Sequence, residues 1–138
     1  MALTKDEIQL IRESFRMISH STEQASDRFY RNLFEAAPET RHLFVNDMKT
    51  QGAMLMSKLG LVVAQLQNMD DLAPMLEDLA LRHVAYGVKP EHYPLVGAAL
   101  VKMMSDMLGD EFTPEAKAAW VNAYNALEML MVSTAYRD

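Results

Sequence analysis

The stretch Asp71–Gly87, DLAPMLEDLALRHVAYG, decides the reading of this chain. Counting from Leu72, the residues Leu76, Leu79 and His83 follow at offsets of four, seven and eleven. At about 100° per residue those offsets place all four on one face of a helix. An imidazole therefore sits on the stripe that faces the interior. A neutral imidazole there has two common uses: it makes a buried hydrogen bond, or it gives a nitrogen lone pair to a metal. Taken alone, the hydrogen bond is the commoner role. Gly87 supplies a left-handed helix stop, and Pro90 follows three residues later.

Working outward, the flanking segments carry the same helical period. Upstream, Leu55, Leu59, Val62 and Leu66 mark a long helix to about Gln67, capped by Asn46 or Asp47, and Asn68–Asp71 supplies the turn. Pro38 opens a short helical turn through Leu43 and Phe44. Ser21 and Gln24 form a capping box that starts a helix to about Ala36. Thr4 and Glu7 form another, which starts a helix to about His20. Downstream, Tyr93, Val96, Leu100, Met103 and Met107 repeat through Leu108, and Gly109-Asp110 breaks the run. Thr113-Pro114 then opens a last helix carrying Trp120, Tyr124, Leu127 and Met131. No strand pattern is present. The expectation is an all-α domain of six long helices plus one short one.

Composition narrows the chemistry. A chain of 138 residues is expected to form one domain, 1–138, that buries about two-thirds of its unfolded surface. The absence of cysteine excludes disulfides, thiolate–zinc sites, iron–sulfur clusters and thiol nucleophiles. A net charge of −6 disfavours nucleic acid or an anionic membrane surface as the main partner. No apolar run spans a bilayer and the N-terminus has no signal core, so the expected location is cytoplasmic, without membrane insertion. Twelve methionines suit an adaptable core or the wall of a pocket for a flat ligand.

An ordered set of short matches sharpens the reading. It runs through Phe29-Tyr30-x-Asn32-Leu33-Phe34, Pro38-Glu39-x-Arg41-x-Leu43-Phe44 and Gln51 with Leu55. It continues through Arg82-His83, Tyr86-Gly87-Val88, His92-Tyr93-Pro94-Leu95-Val96-Gly97, Leu108-Gly109 and Ala119-Trp120. With this set, the chain resembles a single-domain bacterial globin, close to the haem domain of flavohaemoglobins. The resemblance covers essentially the whole length and implies a globin fold around a haem pocket.

By that resemblance His83 is the proximal iron ligand and the cofactor is haem b (iron protoporphyrin IX). Tyr30 and Gln51 are implied as distal donors to a bound gas, with Leu55 one turn beyond Gln51. Phe44 is implied to wedge against the porphyrin and Tyr93 to approach the proximal histidine. The implied haem-lining set is Phe44, Leu55, Leu79, Arg82, His83, Val88, Tyr93 and Val96. Arg82 is open to two roles, a propionate partner or a solvated charge. Ser26 and Gly52 match a small pair that lets two helices cross closely. His20, His42 and His92 read as surface or capping residues.

Two departures from the flavohaemoglobin pattern stand out. The glutamate that completes a proximal His–Tyr–Glu network is replaced by Ala135. No GxGxxG, flavin or nicotinamide segment follows the helices. The implied function is reversible binding of O2, and of NO and CO, at ferrous iron. The alternatives are nitric oxide dioxygenase activity with a separate electron-donating reductase, nitrite reduction, or a gas sensor or interaction module. Monomer and homodimer are both compatible with the sequence.

Overall fold

The computed structural model describes residues 3–44, 47–85 and 87–135. Six α-helices account for most of them: α1 (Lys5–Ile18), α2 (Thr22–Ala36), α3 (Met48–Ala64), α4 (Met69–Ala85), α5 (His92–Leu108) and α6 (Pro114–Ala135). The short element Pro38–Leu43 is a 3₁₀ turn, and three further 3₁₀ turns cover Ser19–Ser21, Leu66–Asn68 and Gly109–Glu111. No strand occurs among the described residues.

The helix starts follow their capping chemistry. Thr4 Oγ1 accepts from the Glu7 amide at 3.1 Å, and Glu7 Oε1 accepts from the Thr4 amide at 2.9 Å. This reciprocal pair satisfies two amides that the first turn of α1 leaves without helical partners. The Thr4 amide, and then Asn122, also holds the Glu7 carboxyl below its ordinary pKa. Asn122 donates to Glu7 Oε2 at 2.7 Å, which fastens α6 to the start of α1. Asp47 caps α3 by accepting from the Thr50 amide, and Thr113 Oγ1 accepts from the Ala116 amide, each at 3.1 Å. The other cap candidate, Asn46, lies outside the described residues.

Four boundaries differ from the sequence pattern. Helix α1 ends at Ile18, and Ser19–Ser21 tightens into a 3₁₀ turn before α2. Ser21 precedes α2 but makes no capping bond. Its backbone (φ −140°, ψ 49°) leaves the turn without the extended geometry that Thr4 has (φ −75°, ψ 162°). Helix α3 stops at Ala64, and Leu66–Asn68 feeds directly into α4 at Met69, so no loop separates them. Because α4 starts earlier than expected, Pro74 lies inside it and one backbone bond to the i−4 carbonyl is forgone.

Gly87 ends α4 at φ +93°, the positive-φ conformation expected of it. Its amide donates to the Val84 carbonyl, and the Val88 amide donates to the His83 carbonyl, both at 3.0 Å.

The most extensive helix pairings are α2 with α5, α4 with α6, and α1 with α6. Ile11, Ile18, Leu33, Leu76, Met103 and Met104 are almost wholly enclosed. A buried polar pair between α1 and α6 is satisfied: Trp120 Nε1 donates to Ser14 Oγ at 2.7 Å, and Ser14 donates to Leu10 and Ile11 carbonyls. Helix α3 crosses α2 closely because Gly52 faces Ser26. A Cβ at Gly52 would lie 2.6 Å from Ser26 Oγ and 2.9 Å from Ser26 Cβ. Helix α3 packs on α1 and α2, and α4 packs on α6. Among the described residues α3 and α4 have no extensive contact with each other.

Candidate functional site

The predicted site residues fall into two side-chain groups. The first is aromatic and gathers around Tyr30 on α2. Its ring meets Phe29 edge-on at 4.9 Å, Phe44 edge-on at 5.3 Å and Phe34 in a stacked contact at 5.9 Å. Phe34 and Phe44 also touch at 5.6 Å, and the Arg41 guanidinium lies 5.3 Å over the Phe34 ring. These contacts fix the corner after Pro38–Leu43 against α2. The Tyr30 hydroxyl lies 3.5 Å from the Gln51 carbonyl, at the outer edge of hydrogen-bonding range. Burial pushes the Tyr30 hydroxyl up to about 12, so it is a neutral O–H donor at any physiological pH.

The second group surrounds His83 on α4. The imidazole is half-buried, and its Nδ1 lies 2.6 Å from the Leu79 carbonyl, one turn back. A carbonyl can only accept, so Nδ1 carries the proton and the Nε2 lone pair is left for another partner. The Tyr93 ring lies alongside, 6.1 Å between centroids and 30° from parallel. Val88 follows the helix end and binds the His83 carbonyl through its amide.

The remaining predicted residues take less specific places. Leu55, on α3 one turn after Gln51, and Val96, on α5, are half-buried and packed on the core. Phe44, Leu79 and Val88 share that state. These five apolar side chains are packed against the core and left partly exposed. Arg82 is exposed, and its Nε pairs with Asp78 at 3.0 Å. That geometry is the solvated-charge alternative, and such surface pairs contribute little. His20 and His42 are exposed, with His42 bonded to the Glu39 carbonyl, while His92 Nδ1 accepts from the Lys89 amide at 2.9 Å. Tyr86 lies outside the described residues.

Pattern reading missed one pair. Tyr124 on α6 donates to the Tyr93 carbonyl at 2.7 Å, and its ring lies flat against Gly97 on α5. Sequence shows Tyr124 on the buried stripe of α6 and Gly97 four residues after Tyr93. Their contact depends on how α5 and α6 cross, which spacing does not reveal.

Among the described residues the chain is an all-helical bundle, with the half-buried His83 imidazole bonded through Nδ1 to its own helix. The globin family pattern matches residues 27–129, and the chain belongs to the globin family. It is 32% identical over 133 residues to a flavohemoprotein of Rhodopirellula baltica, and 30% identical over 123 residues to one of Bacillus subtilis. These alignments cover 94% and 87% of this chain, but the chain spans only about a third of those relatives' length (33% and 31%). A bacterial globin of Campylobacter jejuni superposes with a TM-score of 0.83 at 26% identity, covering 96% of each chain. An engineered carbene transferase, derived from a candidate nitric oxide dioxygenase of Rhodothermus marinus, superposes with a TM-score of 0.85 at 31% identity. That match covers 97% of this chain and 94% of the other.

Family membership implies a haem cofactor, and the residues present fit one. With Nδ1 on the Leu79 carbonyl, the imidazole keeps its Nε2 lone pair, the donor chemistry that iron takes, and the partly exposed Phe44, Leu55, Leu79, Val88 and Val96 are apolar, as a porphyrin requires.

Proposed function

We propose that this chain is a haem b globin that binds O2 reversibly, with His83 as the proximal ligand and Tyr30 and Gln51 as distal donors. The observation that carries the reading is the Leu79 carbonyl on His83 Nδ1: it fixes the tautomer whose Nε2 can bind a metal, and it orients the ring. Phe44, Leu55, Leu79, Val88 and Val96 line the cofactor, and Tyr93 supports the histidine. Bound haem supplies a ferrous iron able to take O2, NO or CO. The Tyr30 hydroxyl lies 3.5 Å from the Gln51 carbonyl and also bonds the Gln51 side chain, which supports placing the two proposed donors together. A phenol and a carboxamide both donate to an oxygen that gains negative charge, which favours O2 over CO. The domain acts in the cytoplasm, where a separate reductase returns the iron to the ferrous state.

Purified protein is expected to show a Soret band that His83→Ala abolishes. Because Gln51 is a weak metal ligand compared with histidine, haem held by His83 would stay available to gas in the ferrous form. Sharp split bands of a six-coordinate low-spin ferrous haem would refute that part. Tyr30→Phe and Gln51→Leu should each raise the O2 dissociation rate about tenfold, the loss of one donor bond of roughly 1–2 kcal/mol. If neither rate rises in stopped flow, the distal assignment is wrong.

A second reading, nitric oxide dioxygenase activity, is favoured by the similarity to the Rhodothermus marinus protein. Steady NO consumption with a reductase present supports it; a single stoichiometric turnover supports the binding protein.

A further inference from the structure

Helices α3 and α4 carry Gln51 with Leu55 and His83 respectively, yet they have no extensive contact with each other among the described residues. What joins them is Gln65 and the 3₁₀ turn Leu66–Asn68, which runs straight into α4 at Met69. Each helix leans on a different support, α3 on α1 and α2, and α4 on α6. The turn itself packs on α1. The relation between α3 and α4 is therefore set through this hinge and through α1.

One side chain of α1 grips the hinge at two points. Arg12 Nη2 donates to the Ala64 carbonyl at 3.1 Å and also to Gln67 Oε1. Ala64 is the last residue of α3, so its carbonyl is among those that a helix end leaves without an intrahelical partner. The Asn68 amide, four residues on, donates to the Gln65 carbonyl at 2.9 Å. A guanidinium suits this place. It brings positive charge to the negative end of the α3 dipole, and one Nη carries two N–H groups for two acceptors. Close by on α1, the Phe15 ring lies 3.5 Å from where a Cβ on Gly60 of α3 would stand. Leu66, in the turn, is buried. An apolar side chain and a polar tie thus anchor the same short segment.

From this geometry we infer that Arg12 is a positioning residue: it pins the α3–α4 hinge to α1, and so sets how the helix of Gln51 and Leu55 stands against the helix of His83 and how firmly a prosthetic group is held by them. The consequence for the prosthetic group rests on the haem reading. The tie itself does not.

The test compares the haem-loaded protein with its Arg12→Met variant, which keeps an apolar stem and removes the guanidinium. Amide hydrogen exchange at residues 65–68 should quicken about tenfold relative to amides in the middle of α3 and α4, because the hinge opens locally. Transfer of haem to an apoglobin acceptor should quicken by a similar factor, about tenfold. Ser14→Ala is the control. It weakens the bundle at Trp120 from the same helix without removing the tie, so exchange at 65–68 should stay level with the rest of the chain. Unchanged hinge exchange, or an unchanged haem-transfer rate, in Arg12→Met overturns the inference. So does an equal acceleration of haem transfer in Ser14→Ala for the same fall in urea midpoint, since lost stability alone would then account for it. If His83→Ala keeps a wild-type Soret band, the haem reading has failed instead, and hinge exchange still decides whether Arg12 makes the tie.

Discussion

Two glycines in α3 give a controlled test of how the α2–α3 crossing is built. At Gly52, an added Cβ meets Ser26 Oγ at 2.6 Å and Ser26 Cβ at 2.9 Å. Rotating the serine about χ1 can move Oγ, which gives up its 3.1 Å bond to the Glu23 carbonyl, but it cannot move Cβ. The helices themselves must then separate by several tenths of an ångström. At Gly60, the same Cβ meets Phe15 Cζ at 3.5 Å, an ordinary contact. Both sites are interior to the helix, so each Gly→Ala change gains roughly 0.8–1 kcal/mol of helix propensity. Gly60→Ala should keep that gain. Gly52→Ala should lose it and more, because overpacking of this kind costs typically 1–3 kcal/mol.

The expected gap between the two variants is about 2 kcal/mol, or roughly 8 °C in Tm for a domain of this size. Urea unfolding followed by circular dichroism, with matched m-values, reads it directly. Adding Ser26→Gly to Gly52→Ala removes both clashing atoms and should recover most of the loss, whereas Ser26→Ala should not, since the Cβ remains. If Gly52→Ala is as stabilising as Gly60→Ala, the close crossing is wrong. Because Gly52 adjoins Gln51, whose carbonyl receives Tyr30, the same variant should disturb O2 dissociation.

Ser14→Ala should destabilise by about 1–3 kcal/mol, because the buried Trp120 indole N–H loses its acceptor; an unchanged urea midpoint would show that the bond adds nothing. The tyrosines give an alkaline signature. Burial raises Tyr30 to about 12, and burial with Glu128 and Tyr93 nearby also raises Tyr124, against an ordinary value near 10. With folded values above unfolded ones, the folded state binds more protons in that window. Stability is therefore fully present below pH 10 and falls as pH climbs from 10 towards 12. Tyr30→Phe should flatten the fall in urea midpoint across that range, and an identical slope in the variant would remove Tyr30 from the account.

Much of this fold was legible because helices advertise themselves locally. The Thr4–Glu7 box, the Asp47 cap, Thr113-Pro114 and Gly87 all act within four residues, so their chemistry is visible in the chain. The errors were local too, and each had a physical cause. Ser21 carried the right residue type, but the turn before it denied the backbone angles that a cap needs. Asn68–Asp71 carried turn and cap residue types, yet α4 starts at Met69 and takes Pro74 inside it. The candidate site was harder. Spacing alone put His83 on a buried stripe and could not choose between a hydrogen bond and a metal. In the fold Nδ1 makes the hydrogen bond, to the Leu79 carbonyl, and the iron-ligand role of the other nitrogen rests on the proposed function.

By itself, then, the sequence determined six helices, their caps and faces, the small residues Ser26 and Gly52, and one imidazole turned inward. Those features depend on side chains one or two turns apart, where helical geometry fixes distance. The tertiary structure decided which aromatic rings gather at Tyr30, and it decided that the Tyr30 hydroxyl points towards Gln51. It also brought Tyr93 beside His83 and Tyr124 against Gly97. Those contacts join residues 10 to 27 positions apart, on elements whose arrangement comes from packing the whole core, so no local pattern encodes them.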